Sequence, residues 1–311
     1  MAWPTRKIID VTNLVISASL VADLIAAQFP AWAGLPIRPV ELGGSDNRTF
    51  RLGEDMAVRL PSGQAYAAQI DKEDRWLPVL APQLPIAIPE PLAQGQPSEL
   101  FPWPWSVRRW LPGEPATGDQ VGDLPTMASD LACFLSCLSE IDPVGGPPPG
   151  DHNFSRGAPL SVYEAETRSA ITALGPSIDG GAAAAVLDAA LLTIWDRPGI
   201  WLHGDMTPTN LLAVQGRLSA VIDFGCCAVG DPACDLAIAW TAFAGTSREV
   251  FRTQMAMNDG TWARARGWAL WKALITLLES PAAAEKARLR FGWRCPVPQV
   301  VEDILNDDLL G

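Results

Sequence analysis

The sequence predicts an α+β protein, with a small antiparallel sheet in its first third and a larger helical part after it. Three observations predict this. Short runs of strand composition, broken by glycine turns, fill residues 37–63 and return near 105–110. Beyond about residue 113, apolar residues recur at helical spacing over 123–141, 160–175 and 181–196. One short β segment, 199–225, interrupts the helices, which resume at Asp231. The division this suggests is 1–110 for the sheet-rich part and 111–311 for the helical part.

The elements follow in order. "LVISASLVADLIAA", residues 14–27, is preceded by Arg6 and Lys7 and has the outline of a secretion signal. Asp10 and Asn13 separate the charges from the apolar run, and Asp23 interrupts it, so an amphipathic helix capped near Asp10 or Thr12 is the better reading. "RTFRL" and "MAVRL" flank the turn Gly53-Glu54-Asp55 as a hairpin, and "IRPVEL" extends it to three strands. "AYAAQIDKEDRWLPVLAP" has helical periodicity until Pro78. "PIAIPEPLAQGQP" reads as a proline-rich edge strand, and "WPWSVRRWLPGE" as one more strand. Cys133 and Cys137, four apart in an apolar run, are expected to share the buried face of a helix. "NLLAV" and "LSAVID" should pair as a hairpin across Gln215-Gly216-Arg217.

Composition narrows the function classes. A length of 311 residues with 48% hydrophobic and 19% charged residues describes a folded chain. A net charge of −12 argues against nucleic acid and anionic membranes as partners, and favours a cationic small molecule. The six cysteines have no CxxC spacing and there are two histidines, so a zinc site or disulfide framework is not expected, and free thiols suit the cytoplasm. No apolar run reaches membrane-spanning length.

The chemistry concentrates in residues 203–225. Asp205 and Asn210 stand five apart in a loop, and Asp223 follows a strand and precedes Phe224-Gly225. If the hairpin forms, two carboxylates and one amide converge. Such oxygen donors suit Mg²⁺, which takes few protein ligands and completes its shell with phosphates and water.

Taken in order, His203-Gly204-Asp205 with Asn210, then Ile222-Asp223-Phe224-Gly225, then Gly230-Asp231-Pro232 with Asp235-Leu236-Ala237, resemble the aminoglycoside phosphotransferase family. The resemblance implies a bilobal, protein-kinase-like fold and transfer of the γ-phosphate of ATP or GTP to a hydroxyl of a small molecule. It implies Asp205 as catalytic base, Asn210 and Asp223 as Mg²⁺ ligands, and His203 and Asp235 as supports of the loop. In the first third, "LGGSDNRTFRL" resembles the nucleotide-covering loop, with Gly44, Ser45 and Asn47 as candidate contacts. "MAVRL" resembles the third strand, with Arg59 in place of the usual lysine, and Glu73 is its candidate ion-pair partner. "SVRRWLPGE" resembles the hinge.

One departure is Thr207, where many members carry a basic or polar residue two after the catalytic aspartate. Arg59 and the metal would then neutralise more of the phosphoryl charge. The implied acceptor is an aminoglycoside or related antibiotic. The alternatives are a metabolite acceptor, such as an amino alcohol or sugar, and an inactive nucleotide-binding pseudokinase. A protein kinase is disfavoured because Gly230-Asp231-Pro232 follows Asp223 within eight residues, leaving no long activation segment. Most of the tryptophans are expected to be core, with Trp268 and Trp271 three apart on one helix, and "HNFSRG", residues 152–157, is a lesser candidate for the site.

Overall fold

The computed structural model describes residues 15–40, 46–118 and 121–307. The chain divides into two compact units, one of residues 1–78 and 89–111, the other of 79–88 and 112–311.

The first unit is built on a five-stranded sheet in the order β1-β2-β3-β5-β4. Its strands are β1 (Ile37–Pro39), β2 (Asn47–Leu52), β3 (Met56–Pro61), β4 (Pro91–Gly95) and β5 (Trp105–Arg109). Every pairing is antiparallel. The period of two explains the layering. Phe50, Leu52, Val58, Leu60, Trp105 and Val107 point to one face and bury themselves against Val21, Leu24 and Ile25 of helix α1 (Ala18–Gln28). Arg59, Ser106 and Arg108 point to the other face, where helix α2 (Ala67–Leu80) meets them with Glu73 and Asp74. β4 is the proline-bearing edge strand that the sequence suggests, since a proline there removes no inner ladder bond.

Two helices depart from expectation here. α1 has Ser17 as its N-cap, with the side chain accepting from Leu20 N at 3.3 Å; Asp10 and Thr12 lie outside the described residues. α2 does not stop at Pro78 but carries it in its last turn. There the missing N–H removes one helical bond, to the Asp74 carbonyl, and the helix ends a residue pair later.

The second unit is helical around two small antiparallel sheets, one of three strands and one of two. The three-stranded sheet holds β6 (Glu114–Pro115), β8 (Leu211–Val214) and β9 (Arg217–Val221); the two-stranded one holds β7 (Ile200–Leu202) and β10 (Ala228–Gly230). β8 and β9 form the expected hairpin. Gln215 and Gly216 both take positive φ, 51° and 77°, the geometry of a two-residue type I′ turn.

The helices are α3 (Leu124–Glu140), α4 (Glu164–Leu174), α5 (Gly180–Leu191), α6 (Ala233–Leu236), α7 (Ile238–Thr241), α8 (Thr246–Met255), α9 (Asp259–Leu277), α10 (Pro281–Phe291) and α11 (Val297–Leu305). α9 is buried on most of its circumference, packed against α4, α5, α6 and α11. The first predicted helix of this part matches α3, but its cysteines do not share the core face: Cys133 is exposed and Cys137 half-buried. The buried stripe is Met127, Leu131, Phe134, Leu135 and Leu138, so i, i+4 spacing was shared by two adjacent faces. The segment 160–175 opens as a 3₁₀ turn at Leu160–Tyr163 before α4. The segment 181–196 stops early, at Leu191, where Thr193 turns its hydroxyl onto the Ala190 carbonyl and Gly260 O instead of continuing the helix. Among the described residues no helix is long and apolar enough to cross a membrane.

Candidate active site

The loop from His203 to Asn210 joins β7 to β8 and is fixed from three sides. Beneath it lies Asp235 of α6, only 2% exposed, whose two carboxylate oxygens accept from His203 N at 2.6 Å and Gly204 N at 2.7 Å. Burial pushes the Asp235 carboxyl above its ordinary range, against the pull of His203 and of the two backbone N–H groups.

His203 is fully buried, its ring edge-on to Phe224 at 4.6 Å. Its Nδ1 accepts from Asp205 N at 3.2 Å, so Nε2 carries the proton donated to Ile222 O at 2.9 Å. One imidazole thereby links the Asp205 loop to the residue before Asp223. Gly204 has φ +85°, and a Cβ there would sit 2.3 Å from Cys226 O, so only glycine fits.

Asp205 and Asn210 are in direct contact. Asn210 Nδ2 donates to Asp205 O at 2.8 Å and to its Oδ2 at 3.3 Å. Ile222 N donates to Asn210 O at 2.9 Å, which sets Asp223 beside Asn210 at the end of the β8–β9 hairpin. Asp223 itself is held at φ 65°, ψ 63°, a left-handed conformation uncommon for a side-chain-bearing residue but more accessible to aspartate than to most. Its backbone therefore turns sharply between strand β9 and the Phe224–Cys226 turn.

Asn210 has its amide nitrogen committed to Asp205, and its Oδ1 makes no hydrogen bond among the described residues. The Asn210 amide oxygen and the Asp223 carboxylate are hard oxygen donors, the kind that suits a divalent cation with few protein ligands. Among the described residues no cluster of three or more His, Cys, Asp or Glu side chains could enclose a metal alone. The residues present thus fit Mg²⁺ sharing its shell with phosphates, and do not fit a closed protein cage.

The aspartate of Gly230-Asp231-Pro232 has two partners. Its Oδ1 accepts from Ala233 N at 3.1 Å, opening α6, and its Oδ2 accepts from Arg264 Nε of α9 at 2.6 Å. Both side chains are about 95% buried, so the pair locks the motif to the central helix. Arg264 was not singled out from sequence, because nothing local links it to Asp231.

In the first unit, Glu73 is fully buried and lies 3.8 Å from Arg59 Nε. Its closer partner is Arg108, whose Nη1 and Nη2 donate to Oε1 and Oε2 at 2.9 and 3.2 Å. Arg108 also reaches Asp74 at 3.4 Å, and Ser106 donates to Asp74 at 2.8 Å. Burial pushes the Asp74 carboxyl up, partly offset by Arg108. Asn47, in β2 opposite Pro61, turns its amide oxygen to accept from Arg59 Nη2 at 2.9 Å. Arg59 is thus held by Asn47 and Glu73 together. Gly44 and Ser45 lie outside the described residues.

The second unit also holds a pocket beside Asp205, reached by the lesser candidate segment 152–157 and by a helix the sequence does not single out for the site. Arg156, in the loop 150–157, and Lys272, on α9, line it together with Asp205 and Thr207. Asn153, fully buried, moors the loop: its amide donates to Arg156 O at 2.8 Å and Cys226 O at 3.2 Å. A signal was available on α9, where Arg264, Trp268, Trp271 and Lys272 fall at i, i+4, i+7 and i+8, a single face.

A two-unit α+β chain with this loop has the fold of the protein-kinase-like phosphotransferases. The chain belongs to the phosphotransferase enzyme family, whose model matches residues 36–268. Among solved structures it is similar to aminoglycoside 2'-phosphotransferase-IIIa in complex with GDP, with a TM-score of 0.69 at 19% identity over 94% of this chain and all of that one. It is similar to macrolide 2'-phosphotransferase MphH from Brachybacterium faecium, with a TM-score of 0.60 at 22% identity over 93% of this chain and 98% of that one. It is also similar to the streptomycin–ATP ternary complex of APH(2")-IIa, with a TM-score of 0.57 at 16% identity over 93% of this chain and 99% of that one. A comparison with curated proteins finds no match.

Proposed function

We propose that this protein transfers the γ-phosphoryl group of ATP or GTP to a hydroxyl of a small molecule, with Asp205 as the catalytic base. The observation that carries the reading is the joint fixing of Asp205, Asn210 and Asp223. Asn210 bonds Asp205 through its side chain and bonds the residue before Asp223 through its backbone carbonyl. The Asp205 and Asn210 side chains and the backbone leading into Asp223 are thereby held before any substrate arrives, which supports a loose, charge-dispersed phosphoryl transfer that depends on positioning.

In this reading Asn210 and Asp223 hold Mg²⁺, and when bound the ion neutralises charge on the triphosphate. Asp205 accepts the hydrogen bond of the acceptor hydroxyl, aims the hydroxyl's lone pair at phosphorus, and takes the proton as the new P–O bond forms and the bond from the γ-phosphorus to the bridging oxygen breaks, with nucleoside diphosphate leaving. His203 and Asp235 position the loop through backbone bonds and touch no substrate. Arg59, steadied by Glu73 and Asn47, grips the α- and β-phosphates as a fork where a lysine would act as a point charge.

Solved structures similar to this chain include one of an aminoglycoside phosphotransferase bound to kanamycin and one of a macrolide phosphotransferase, so antibiotic alcohols are the first acceptors to screen. Metabolite alcohols form the second set. The test is release of nucleoside diphosphate from ATP or GTP with Mg²⁺ across both sets, in wild type and Asp205→Asn. The reading expects acceptor-dependent release that falls by at least about 10²-fold in the variant, the lower range for removal of a general base. Equal acceptor-dependent rates in the two proteins would take the role of base away from Asp205, and no acceptor-dependent release in either would reduce the reading to nucleotide binding without transfer.

A further inference from the structure

Granting the phosphotransferase reading, we infer that the acceptor carries an anionic group, a carboxylate or phosphate, beside its hydroxyl, and that Arg156 and Lys272 bind that group. The chain's net charge of −12 favours a cationic acceptor, but among the described side chains lining the pocket beside Asp205 the cations outnumber the carboxylates. Arg156 and Lys272 are the cations lining the pocket, and Asp205 is its one carboxylate among the described residues.

Neither cation is ion-paired among the described residues. The Arg156 guanidinium lies over the rings of Trp271 at 4.9 Å and Trp268 at 5.4 Å, and its Nη1 donates to Phe154 O and the Tyr163 hydroxyl at 3.3 and 3.4 Å. Both of those bonds are long, and its other donors make no hydrogen bond among the described residues. The Lys272 ammonium stands 4.5 Å from the centre of the Phe291 ring and 5.7 Å from that of Trp271, and makes no hydrogen bond among the described residues. An ammonium has three donors, and leaving them all unused in a part-buried site is unfavourable. Burial and the nearby Arg156 push its pKa down to about 8, with Asp205 opposing, as expected of a cation short of negative neighbours.

The aromatic walls are themselves fixed. Trp271 donates to Glu166 Oε2 at 2.6 Å and stacks on Tyr163 at 4.0 Å, so Glu166 is engaged by an indole and not by either cation. A rigid apolar wall carrying two open cations matches a compact, ring-bearing hydroxy acid or its phosphate counterpart. The same surface opposes a polyamine: among the described residues lining the pocket, an added ammonium meets Arg156 and Lys272, and the one carboxylate is the one the reaction needs.

The test uses one scaffold with its charge varied. The members are 3-hydroxy-3-phenylpropanoate, (2-hydroxy-2-phenylethyl)phosphonate, neutral 1-phenyl-1,3-propanediol and cationic 3-amino-1-phenyl-1-propanol. Dissociation constants are measured by calorimetry on the full chain with a non-hydrolysable nucleotide and Mg²⁺, for wild type, Arg156→Glu and Lys272→Glu, with circular dichroism and melting confirming the fold. The inference expects one or both anions to bind at least about 10-fold tighter than the diol, the low end for a hydrogen bond to a charged group, with the amine weakest. The tighter anion tells carboxylate from phosphate. Each charge reversal should remove that preference, and Lys272→Glu should favour the amine. A wild type that prefers the amine or the diol, an order unchanged in both folded variants, or no binding by any member overturns the inference. Binding is read without turnover, so loss of Asp205-dependent transfer would count against the phosphotransferase reading separately.

Discussion

Replacing Lys272 by methionine should make the protein more stable while weakening its pocket. The ammonium is held among aromatic rings with no ion-pair partner among the described residues, and its pKa falls from 10.5 to about 8. Each unit of such a shift corresponds to about 1.4 kcal/mol. The full penalty would thus be about 3 kcal/mol, and the partial solvent access of the head group and its ring contacts reduce the net gain to about 1–2 kcal/mol. Methionine keeps the length of the stem and fills nearly the same volume.

The sign depends on pH. Below about 8 the lysine is charged in both folded and unfolded chains, so the native state bears the whole penalty. Between 8 and 10.5 the native lysine loses its proton first, and the penalty fades; above 10.5 none is left. The groups facing it are Arg156 from the loop, Asp205, Arg290 of α10 and Glu279 after α9. Urea unfolding at pH 7 and pH 10 is the assay, with the gain expected at pH 7 and largely gone at pH 10. A variant less stable than wild type at pH 7, or a gain unchanged at pH 10, would refute the account of Lys272 as an uncompensated charge.

Other perturbations follow from the same geometry. Asp235→Asn leaves one oxygen to accept where two now serve His203 N and Gly204 N, and turns an NH₂ toward the other donor. It should lower stability by about 1.5–3 kcal/mol and reduce kcat more than it raises KM, read by melting and steady-state kinetics. Glu73→Ala leaves Arg108, 3% exposed, without its closest partner, and should cost about 3–5 kcal/mol in urea unfolding; Arg108→Ala should cost as much.

The parts of the fold that lie close in sequence were readable. The β8–β9 hairpin follows from Gln215-Gly216, and the closeness of Asp205 and Asn210 from their five-residue spacing in one loop. What stayed hidden depends on register or distance. Glu73 was assigned to Arg59, but its nearer partner is Arg108; the register that sets Ser106 opposite Arg59 and Arg108 opposite Ala57 places both arginines on the face that meets α2. No local pattern reveals that. Arg156 and Lys272 come from a loop and a helix more than a hundred residues apart, and the tryptophans between them read as ordinary core. Pro78 read as a helix end because its missing donor is unfavourable in mid-helix, whereas in a last turn one lost bond is tolerated.

The most direct test is a crystal structure with Mg²⁺ and a non-hydrolysable ATP or GTP analogue. The account predicts the ion at about 2.1 Å from oxygens of both Asn210 and Asp223, with Asp205 facing the terminal phosphate and contributing no ligand of its own. A triphosphate bound with its metal on other residues, or Asp205 turned away from the γ-phosphate, would contradict it.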